Sequence, residues 1–157
     1  MELTHLDARG AARMVDVSAK DVTVRTATAA GRFVTTVDVI ALLRRDGLPK
    51  GDALAVARIA GLAAAKRTPD LVPLCHPVAL HGVTVDLELG EHWVDITVTT
   101  RTADRTGVEM EAMTSVVVTG LALYDMVKAV DRAAVLTDVR LVAKAGGRSG
   151  EWLRADQ

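Results

Sequence analysis

Residues 83–99 have the sequence VTVDLELGEHWVDITVT, and this stretch decides the class of fold. Apolar and polar residues alternate through 83–89 and again through 94–99, which is typical of strands with one buried face. Gly90-Glu91 separates the two runs at the point where the chain must turn. The stretch therefore predicts an antiparallel β-hairpin.

The remaining predicted elements lie on both sides of this hairpin. Alternation predicts strands over 22–29, 107–112 and 135–144. Apolar patterns and capping residues predict helices from Thr35 or Thr36 to Arg45, over 53–66 after the cap Asp52, and over 114–131. Three prolines predict that 68–77 is a stiff, non-helical loop. These elements indicate an α+β fold, and we expect a ferredoxin-like antiparallel sheet with helices packed on one side.

Length and composition narrow the class of protein. We expect a single domain over 1–157, with an irregular N-terminal arm over 1–20 and a flexible glycine-rich tail over 145–157. The 19 basic and 20 acidic residues nearly balance, which argues against a general nucleic-acid or membrane-surface binder. The single cysteine, Cys75, excludes an internal disulfide. The arm lacks a secretory signal and the apolar run 116–124 is too short to span a bilayer, so we expect a cytoplasmic protein.

Two of the predicted helices have too little polar surface for a small monomer. Residues 53–65 are polar only at Arg58, apart from Gly61, and 116–124 are apolar nearly all round. A helix without a polar face is buried on all sides, and a chain of this length has little room to cover two of them alone. We therefore expect a homo-oligomer; the alternative is an alanine-rich core helix in a monomer.

The loop over 68–77 displays a histidine, His76, just after the basic helix end Lys66-Arg67. Its prolines would present the imidazole at low entropic cost, and an imidazole can exchange protons near neutral pH or contact phosphate. The alternative is a structural histidine in a rigid loop.

Two further constellations could carry chemistry. On a strand over 107–112, Glu109 and Glu111 would share one face, opposite Met110. Such a pair could bind the donors of a purine or pterin-like ring or a metal, although no second histidine lies at ligand spacing, or it could be a solvated face. Asp125 and Lys128 lie three apart on a helix, where partial burial could tune both pKa values for proton transfer, or where they form an ordinary ion pair.

Basic residues at element ends could offset the charge of a triphosphate, or could be solubilising surface charge. They are Arg25, Lys50, Lys66, Lys128, Lys144 and Arg148. The glycine-rich segment 146–150 could also wrap a phosphate with backbone N–H groups, but it lacks the full Walker spacing.

Four segments together resemble, in order, the motifs of the cyclic pyranopterin monophosphate synthase (MoaC) family of molybdenum cofactor biosynthesis. They are MVDVSAK over 14–20, KRTPDLVPLCHP over 66–77, GVEMEA over 107–112 and YDMVKAVD over 124–131. The segment GGRSG over 146–150 also fits, with Arg148 where lysine is expected. Departures are small: Val127 stands where the family often has cysteine, and Ser115 replaces a usual alanine.

The resemblance implies a ferredoxin-like subunit in a hexamer, a trimer of dimers with active sites at the dimer interfaces. The implied substrate is 3′,8-cyclo-7,8-dihydroguanosine 5′-triphosphate, and the products are cyclic pyranopterin monophosphate and diphosphate, as expected of a phosphorus-oxygen lyase. No redox cofactor and no bound metal are implied, although Mg²⁺ could accompany the phosphates. Two other classes of protein stay open: a non-catalytic nucleotide-binding module, and a small metal-dependent lyase that uses His76, Glu109 and Glu111.

The resemblance also implies roles for individual residues. The implied catalytic residues are Asp125, Lys128, Lys50 and Lys66, with Asp125 and Lys128 as general acid and base in an order left open. The implied substrate-binding residues are Leu74, Cys75, His76, Met110, Glu111, Glu109, Arg25 and Lys144, of which Arg25 and Lys144 suit phosphates. Whether His76 binds substrate or only shapes its loop stays open.

Overall fold

A five-stranded antiparallel sheet with strand order β2-β3-β1-β4-β5 forms one layer of the protein. The strands are β1 (Thr23–Val34), β2 (Leu80–Leu89), β3 (Trp93–Asp104), β4 (Val135–Ala145) and β5 (Trp152–Leu153). This computed structural model describes residues 6–155. The parts of the predicted arm and tail over 1–5 and 156–157 lie outside the described residues.

Four helices form the second layer, on one side of the sheet. They are α1 (Val37–Arg44), α2 (Ala53–Ala65), α3 (Thr68–Leu71) and α4 (Glu109–Val127). The predicted caps are confirmed, because the side chain of Thr36 accepts from the Val39 N–H and that of Asp52 from the Ala55 N–H. The predicted α+β class and the hairpin are confirmed, and β1 to β4 follow the order of the split βαβ motif.

The core lies between α4 and the two central strands. Phe33 of β1 and Ile96 of β3 are fully buried beneath the helices. Helix α4 crosses β1 at Gly31, where an added Cβ would lie 2.7 Å from Val116 Cγ1. Ser115 Oγ donates to the Gly61 carbonyl at 2.9 Å, which joins α4 to α2. Small residues at these crossings let the layers approach closely.

The central strands are longer than the predicted ones. β1 continues to Val34. The alternating pattern was lost at Gly31, because this residue packs beneath α4 but has no apolar side chain to mark a buried strand position. β3 continues to Asp104. The apolar pattern did not show this continuation, because two threonines occupy the buried face there. Thr100 Oγ1 donates to the Val108 carbonyl at 2.9 Å and Thr102 Oγ1 to the Ala79 carbonyl at 2.7 Å. Hydrogen bonding lets these polar side chains occupy core positions.

The strand predicted over 107–112 is wrong. Residues 107–108 are a loop, and α4 begins at Glu109, five residues before the predicted helix start. Glutamates in a first turn interact favourably with the helix dipole, and Met and Ala are strong helix formers. Glu109 and Glu111 therefore lie roughly 200° apart around a helix instead of sharing one strand face.

Three smaller expectations also need correction. The loop predicted over 68–77 begins with the single helical turn α3, since proline is tolerated at a helix start. Helix α4 ends at Val127 instead of 131. Ala145 ends β4 and Trp152–Leu153 pairs with β4, so the predicted flexible tail is held to the sheet at these points.

The two apolar helices are not buried on all sides in one copy of the chain. Leu121 of α4 is 58% exposed and Ile59 of α2 is 66% exposed. We name the exposed apolar face of α4 the α4 stripe; its residues are Met110, Val117, Leu121 and Tyr124. Within the described residues α4 has the length and hydropathy of a membrane span, but 56% of that window is buried, as in a core helix.

The contact of α2 with α4 gives a stability prediction. An added Cβ at Gly61 would overlap Thr119 Oγ1 and lie 3.0 Å from Ser115 Oγ, so Gly61→Ala should destabilise the fold by about 1–3 kcal/mol. Thr119 Oγ1 is buried without a hydrogen-bond partner, so adding Thr119→Ala should recover most of that loss. Thermal unfolding of the two variants measures both effects.

The matched control is Gly82→Ala, because the nearest atom to a Cβ there is 3.8 Å away. If Gly61→Ala unfolds at the same temperature as this control, the close packing of α2 on α4 is wrong.

Candidate functional site

The largest group of predicted site residues surrounds adjoining cavities at the N-terminal end of α4. We name the first the inner cavity; it has a volume of about 330 Å³ and is lined by Leu74, Cys75, His76, Glu109, Met110 and Glu111, among others. We name the second and third together the cationic groove; they measure about 170 and 720 Å³ and include Lys20, Arg25, Arg105, Lys144 and Arg148 in their lining. Lys20 and Glu109 line both the inner cavity and the groove.

The loop after α3 forms one wall of the inner cavity. His76 is fixed by a 2.7 Å hydrogen bond between its Nε2 and the carbonyl of Val15 in the N-terminal arm. Burial, with the charge of Glu111 second, raises the pKa of the Cys75 thiol. Cys75 is therefore a neutral thiol that shapes the cavity, whereas His76 both lines the cavity and holds the arm in place.

Glu111 forms the acidic part of the inner cavity. It is only 3% exposed, and burial raises the pKa of its carboxyl, with the charge of Glu109 acting in the same direction. A carboxyl in such a place can accept hydrogen bonds from ring N–H groups and can also hold a proton. This combination is typical of functional sites.

A β-bulge brings Lys144 to this end of α4. Simple alternation places Lys144 on the polar face of its strand with Arg140, opposite Leu141. In β4, however, Thr28 pairs with Ala143 and Ala29 with Leu141, so Val142 is an extra residue. The bulge turns Lys144 towards the helices, where its Nζ lies 3.0 Å from Glu109 Oε1.

Backbone contacts at the sheet end fix the cationic groove. Arg25 Nε donates to the Asp104 carbonyl at 2.9 Å. Its guanidinium packs against Gly147, where an added Cβ would overlap Nη1, and Gly147 has a φ of +71°, which favours glycine. These contacts hold Arg25 in place, in a groove whose other cations add to the positive charge that a polyanion requires.

A second charged group lies at the opposite end of α4. Asp125 Oδ2 lies 2.8 Å from Lys50 Nζ, and Asp125 Oδ1 lies 2.7 Å from Lys128 Nζ. Lys50 also donates to the Asp125 carbonyl at 2.9 Å. Hydrogen bonds from Lys128 and then Lys50 lower the pKa of Asp125 to about 2, and Asp125 raises the pKa of Lys128. At neutral pH Asp125 is a carboxylate and Lys128 an ammonium.

One copy of the chain does not bring all the predicted residues together. Glu111 and Asp125 both lie on α4, fourteen residues and therefore about 21 Å apart along the helix axis. Lys66 caps the C-terminal end of α2, is exposed, and lies outside the lining of the cavities described above. The catalytic and binding residues expected in one site thus form two groups.

The N-terminal arm contributes residues that the sequence interpretation did not assign to the site. Val15, Val17 and Lys20 line the inner cavity, although the described part of the arm, residues 6–20, has no helix or strand from which a face could be predicted. Thr106 and Gly107 line it too, from the loop before α4. The family motif over 14–20 was the one signal in the sequence for a role of the arm in the site, but no physical property of its residues predicted that role.

The positions of the described side chains also test the metal site that the sequence left open. Among residues 6–155, no three His, Cys, Asp or Glu side chains converge so as to hold a metal ion. The proposed metal ligands are also engaged otherwise, since Glu109 pairs with Lys144 and His76 Nε2 faces the Val15 carbonyl.

The protein is a small α+β protein whose inner cavity adjoins a groove lined by cations, and such a place suits a polyanionic small molecule. A buried acid lies beside a groove of cations, which suits a ring joined to a chain of phosphates. The chain belongs to the MoaC family, which it matches over residues 14–147. The resemblance found in the four sequence motifs is confirmed.

Relatives with a known name cover nearly the whole chain. A cyclic pyranopterin monophosphate synthase of Streptomyces coelicolor is 62% identical over 153 residues, which is 98% of this chain and 90% of that protein. Cyclic pyranopterin monophosphate synthase 2 of Mycobacterium bovis is 58% identical, over 98% of this chain and 92% of that protein. The synthase of Parvibaculum lavamentivorans is 56% identical, over 96% of each chain.

Burial of Glu111 gives a testable pH effect. Because its pKa is raised in the fold, ionisation destabilises the protein as pH rises above the usual value of 4.5. Glu111→Gln should therefore raise the unfolding temperature at pH 8 above that of the unmutated chain, and lose this advantage near pH 4.5. The exposed Glu88→Gln is the control, and equal behaviour of the two variants would contradict the burial of a charged Glu111.

Asp125 should show the opposite pH dependence. Its lowered pKa means that its carboxylate stabilises the fold above the usual value of 3.8, and that this contribution disappears as pH falls towards 2. Asp125→Asn should therefore lower the unfolding temperature at neutral pH and low salt, and the difference from the unmutated chain should shrink between pH 3.8 and about 2. The exposed Asp86→Asn is the control. If the unfolding temperatures of Asp125→Asn and the unmutated chain differ by the same amount at all pH values, the ion pairs of Asp125 with Lys50 and Lys128 do not stabilise the fold.

Proposed function

We propose that this chain is a cyclic pyranopterin monophosphate synthase of molybdenum cofactor biosynthesis. It converts 3′,8-cyclo-7,8-dihydroguanosine 5′-triphosphate to cyclic pyranopterin monophosphate and releases diphosphate, as a phosphorus-oxygen lyase. The observation that carries the proposal is the inner cavity opening into the cationic groove, on a chain whose relatives bear this name.

The inner cavity and the cationic groove match the two halves of that substrate. The guanine-derived ring carries N–H donors, and Glu111 offers it a buried carboxyl in an inner cavity of about 330 Å³. The three phosphates need several cations, which the groove supplies from Arg25, Lys144 and Arg148. Leu74 and Met110 give the inner cavity an apolar surface suited to a ring.

The reaction opens one ring, closes another and forms a cyclic phosphate while diphosphate leaves, so it needs proton transfers and positive charge. Asp125 is ionised at neutral pH and can accept a proton, whereas Lys128 is protonated and can donate one. Lys50 holds the Asp125 carboxylate in place at 2.8 Å. Cations in the groove offset the charge that develops on the departing diphosphate.

A complete site requires two copies of the chain. The Glu111 group and the Asp125 group lie at opposite ends of α4, and the exposed α4 stripe runs between them. If two copies pack these stripes antiparallel about a two-fold axis, each end of one α4 meets the other end of its partner. One such interface buries the stripe and assembles two sites. Three dimers of this kind would form the hexamer that the family resemblance implies.

The remaining expectations follow from the same proposal. The enzyme acts in the cytoplasm on a small molecule, not on nucleic acid or a membrane, and uses no redox cofactor, while Mg²⁺ could accompany the phosphates. The competing function is a nucleotide-binding module on the same fold, which requires the groove but no proton transfer at Asp125.

Diphosphate release distinguishes these functions. The purified chain should release diphosphate from the cyclised triphosphate, and Asp125→Asn and Lys128→Ala should each reduce turnover by about 10²–10⁴-fold, because each removes a proton-transfer group. Asp86→Asn makes the same change at an exposed carboxylate on β2 and should be active. Binding of the triphosphate without turnover would sink the synthase proposal and favour the nucleotide-binding module.

A mixing experiment tests the shared site. Asp125→Asn and Glu111→Gln subunits, each of which we expect to be inactive alone, are unfolded together, refolded and assayed. If each site combines Glu111 of one subunit with Asp125 of the other, random pairing restores about a quarter of the sites. Mixed activity no greater than the sum of the two separate variants would place each site within one subunit.

A further inference from the structure

Lysine is rare in this chain, and its few positions carry information. Only five of the 19 basic residues are lysines, and the other 14 are arginines. The family resemblance implies a site role for four of the lysines: Lys50, Lys66, Lys128 and Lys144. The fifth is Lys20. Arginine is the commoner cation both in the groove and on the rest of the chain, and a lysine differs from it by a compact charge with three rotatable donors.

The position of Lys20 suits such a compact charge. It is the one described residue that lines all three cavities of the site, and therefore lies where the inner cavity opens into the cationic groove. Its side chain is exposed and forms no ion pair with another residue of the 6–155 range. A cation here faces whatever part of a ligand joins a ring to its phosphates.

The segment of the arm from Val15 to Lys20 is fastened at both ends although it contains no helix or strand. The Val15 carbonyl lies 2.7 Å from His76 Nε2, and the Lys20 carbonyl accepts from Arg105 Nε at 2.9 Å. Between these points, Asp16 Oδ1 accepts from the Ser18 N–H at 2.9 Å. The backbone that presents Lys20 is thus held by a residue of the inner cavity on one side and by the end of β3 on the other.

We propose that Lys20 is a further substrate-binding residue that contacts the phosphate nearest the sugar, and that Arg105 positions it by holding its carbonyl. The proposal rests on the proposed function. In the cyclised triphosphate this phosphate joins the ring system to the departing diphosphate, so a ring in the inner cavity and a diphosphate in the groove place it at the junction. Arg25, Lys144 and Arg148 then bind the phosphates that leave, and Lys20 binds the phosphate that stays.

Lys20→Ala should weaken binding of GTP, used as a stable probe with a ring and three phosphates, and should lower kcat/KM for the cyclised triphosphate. The expected loss is about 10- to 100-fold, because one charge-assisted contact is removed, and it should shrink as ionic strength rises. Lys20→Arg should restore the affinity only in part, because a guanidinium keeps the positive charge but not the compact ammonium. Arg101→Gln, an exposed β3 change outside the cavity lining, is the control and should bind GTP like the unmutated chain.

A double-mutant cycle tests the role of Arg105. Arg105→Gln alone should weaken GTP binding at an unchanged unfolding temperature, but should have no further effect in the Lys20→Ala background, because it acts through Lys20. Additive losses would overturn the positioning role and make Arg105 a separate phosphate contact. GTP affinity unchanged by Lys20→Ala would overturn the proposal for Lys20.

The outcomes also separate this proposal from the proposed function. If the unmutated chain releases diphosphate but Lys20→Ala is unaffected, the synthase stands and the role of Lys20 fails. If the unmutated chain binds GTP in a Lys20-dependent way but releases no diphosphate, the synthase fails and the phosphate contact stands. If it neither binds nor turns over a triphosphate, both fail.

Discussion

The crossing of α4 over β1 is the contact on which the rest of the structure depends. It requires Gly31 in the middle of a central strand, because a Cβ there would lie 2.7 Å from Val116 Cγ1. On a neighbouring face, α4 is joined to α2 by the hydrogen bond from Ser115 to the Gly61 carbonyl. With its middle fixed in this way, α4 carries Glu111 at one end and Asp125 at the other, so this crossing sets the position of both charged groups.

The two ends of α4 differ in their electrostatics, and the difference suits two tasks. At the first end burial raises the pKa of Glu111, beside cations held by backbone contacts. At the other end Lys128 and Lys50 lower the pKa of Asp125 to about 2, in an exposed position. In the proposed function, the first end recognises a ring with attached phosphates, and the second supplies a carboxylate and an ammonium for proton transfer. Because about 21 Å of helix separates the two ends, that proposal requires a second copy of the chain for chemistry on one substrate.

Most of the fold could be predicted from local patterns, because the hairpin and the caps Thr36 and Asp52 are signalled by nearby residues. The start of α4 could also have been predicted, since glutamates and good helix formers mark a first turn at Glu109. The place of Lys144 could not, because the bulge at Val142 that turns it depends on pairing with β1, far away in sequence. The arm was equally hidden, since Lys20 is held by one hydrogen bond from Arg105 and by no periodic pattern. The family motifs identified the chemical groups, but not their division between two ends of one helix.

The central claim is that one site is built from two copies of this chain, with a ring in the inner cavity and the phosphates in the cationic groove. The most direct measurement is a crystal structure of Lys128→Ala, whose turnover should be slow, with the cyclised triphosphate bound. The account predicts the ring against the 74–76 loop, Lys20 on the phosphate nearest the sugar, and the partner subunit's Asp125 within hydrogen-bond distance of the substrate. A substrate bound entirely within one subunit, or one that contacts Asp125 of the same chain, would contradict it.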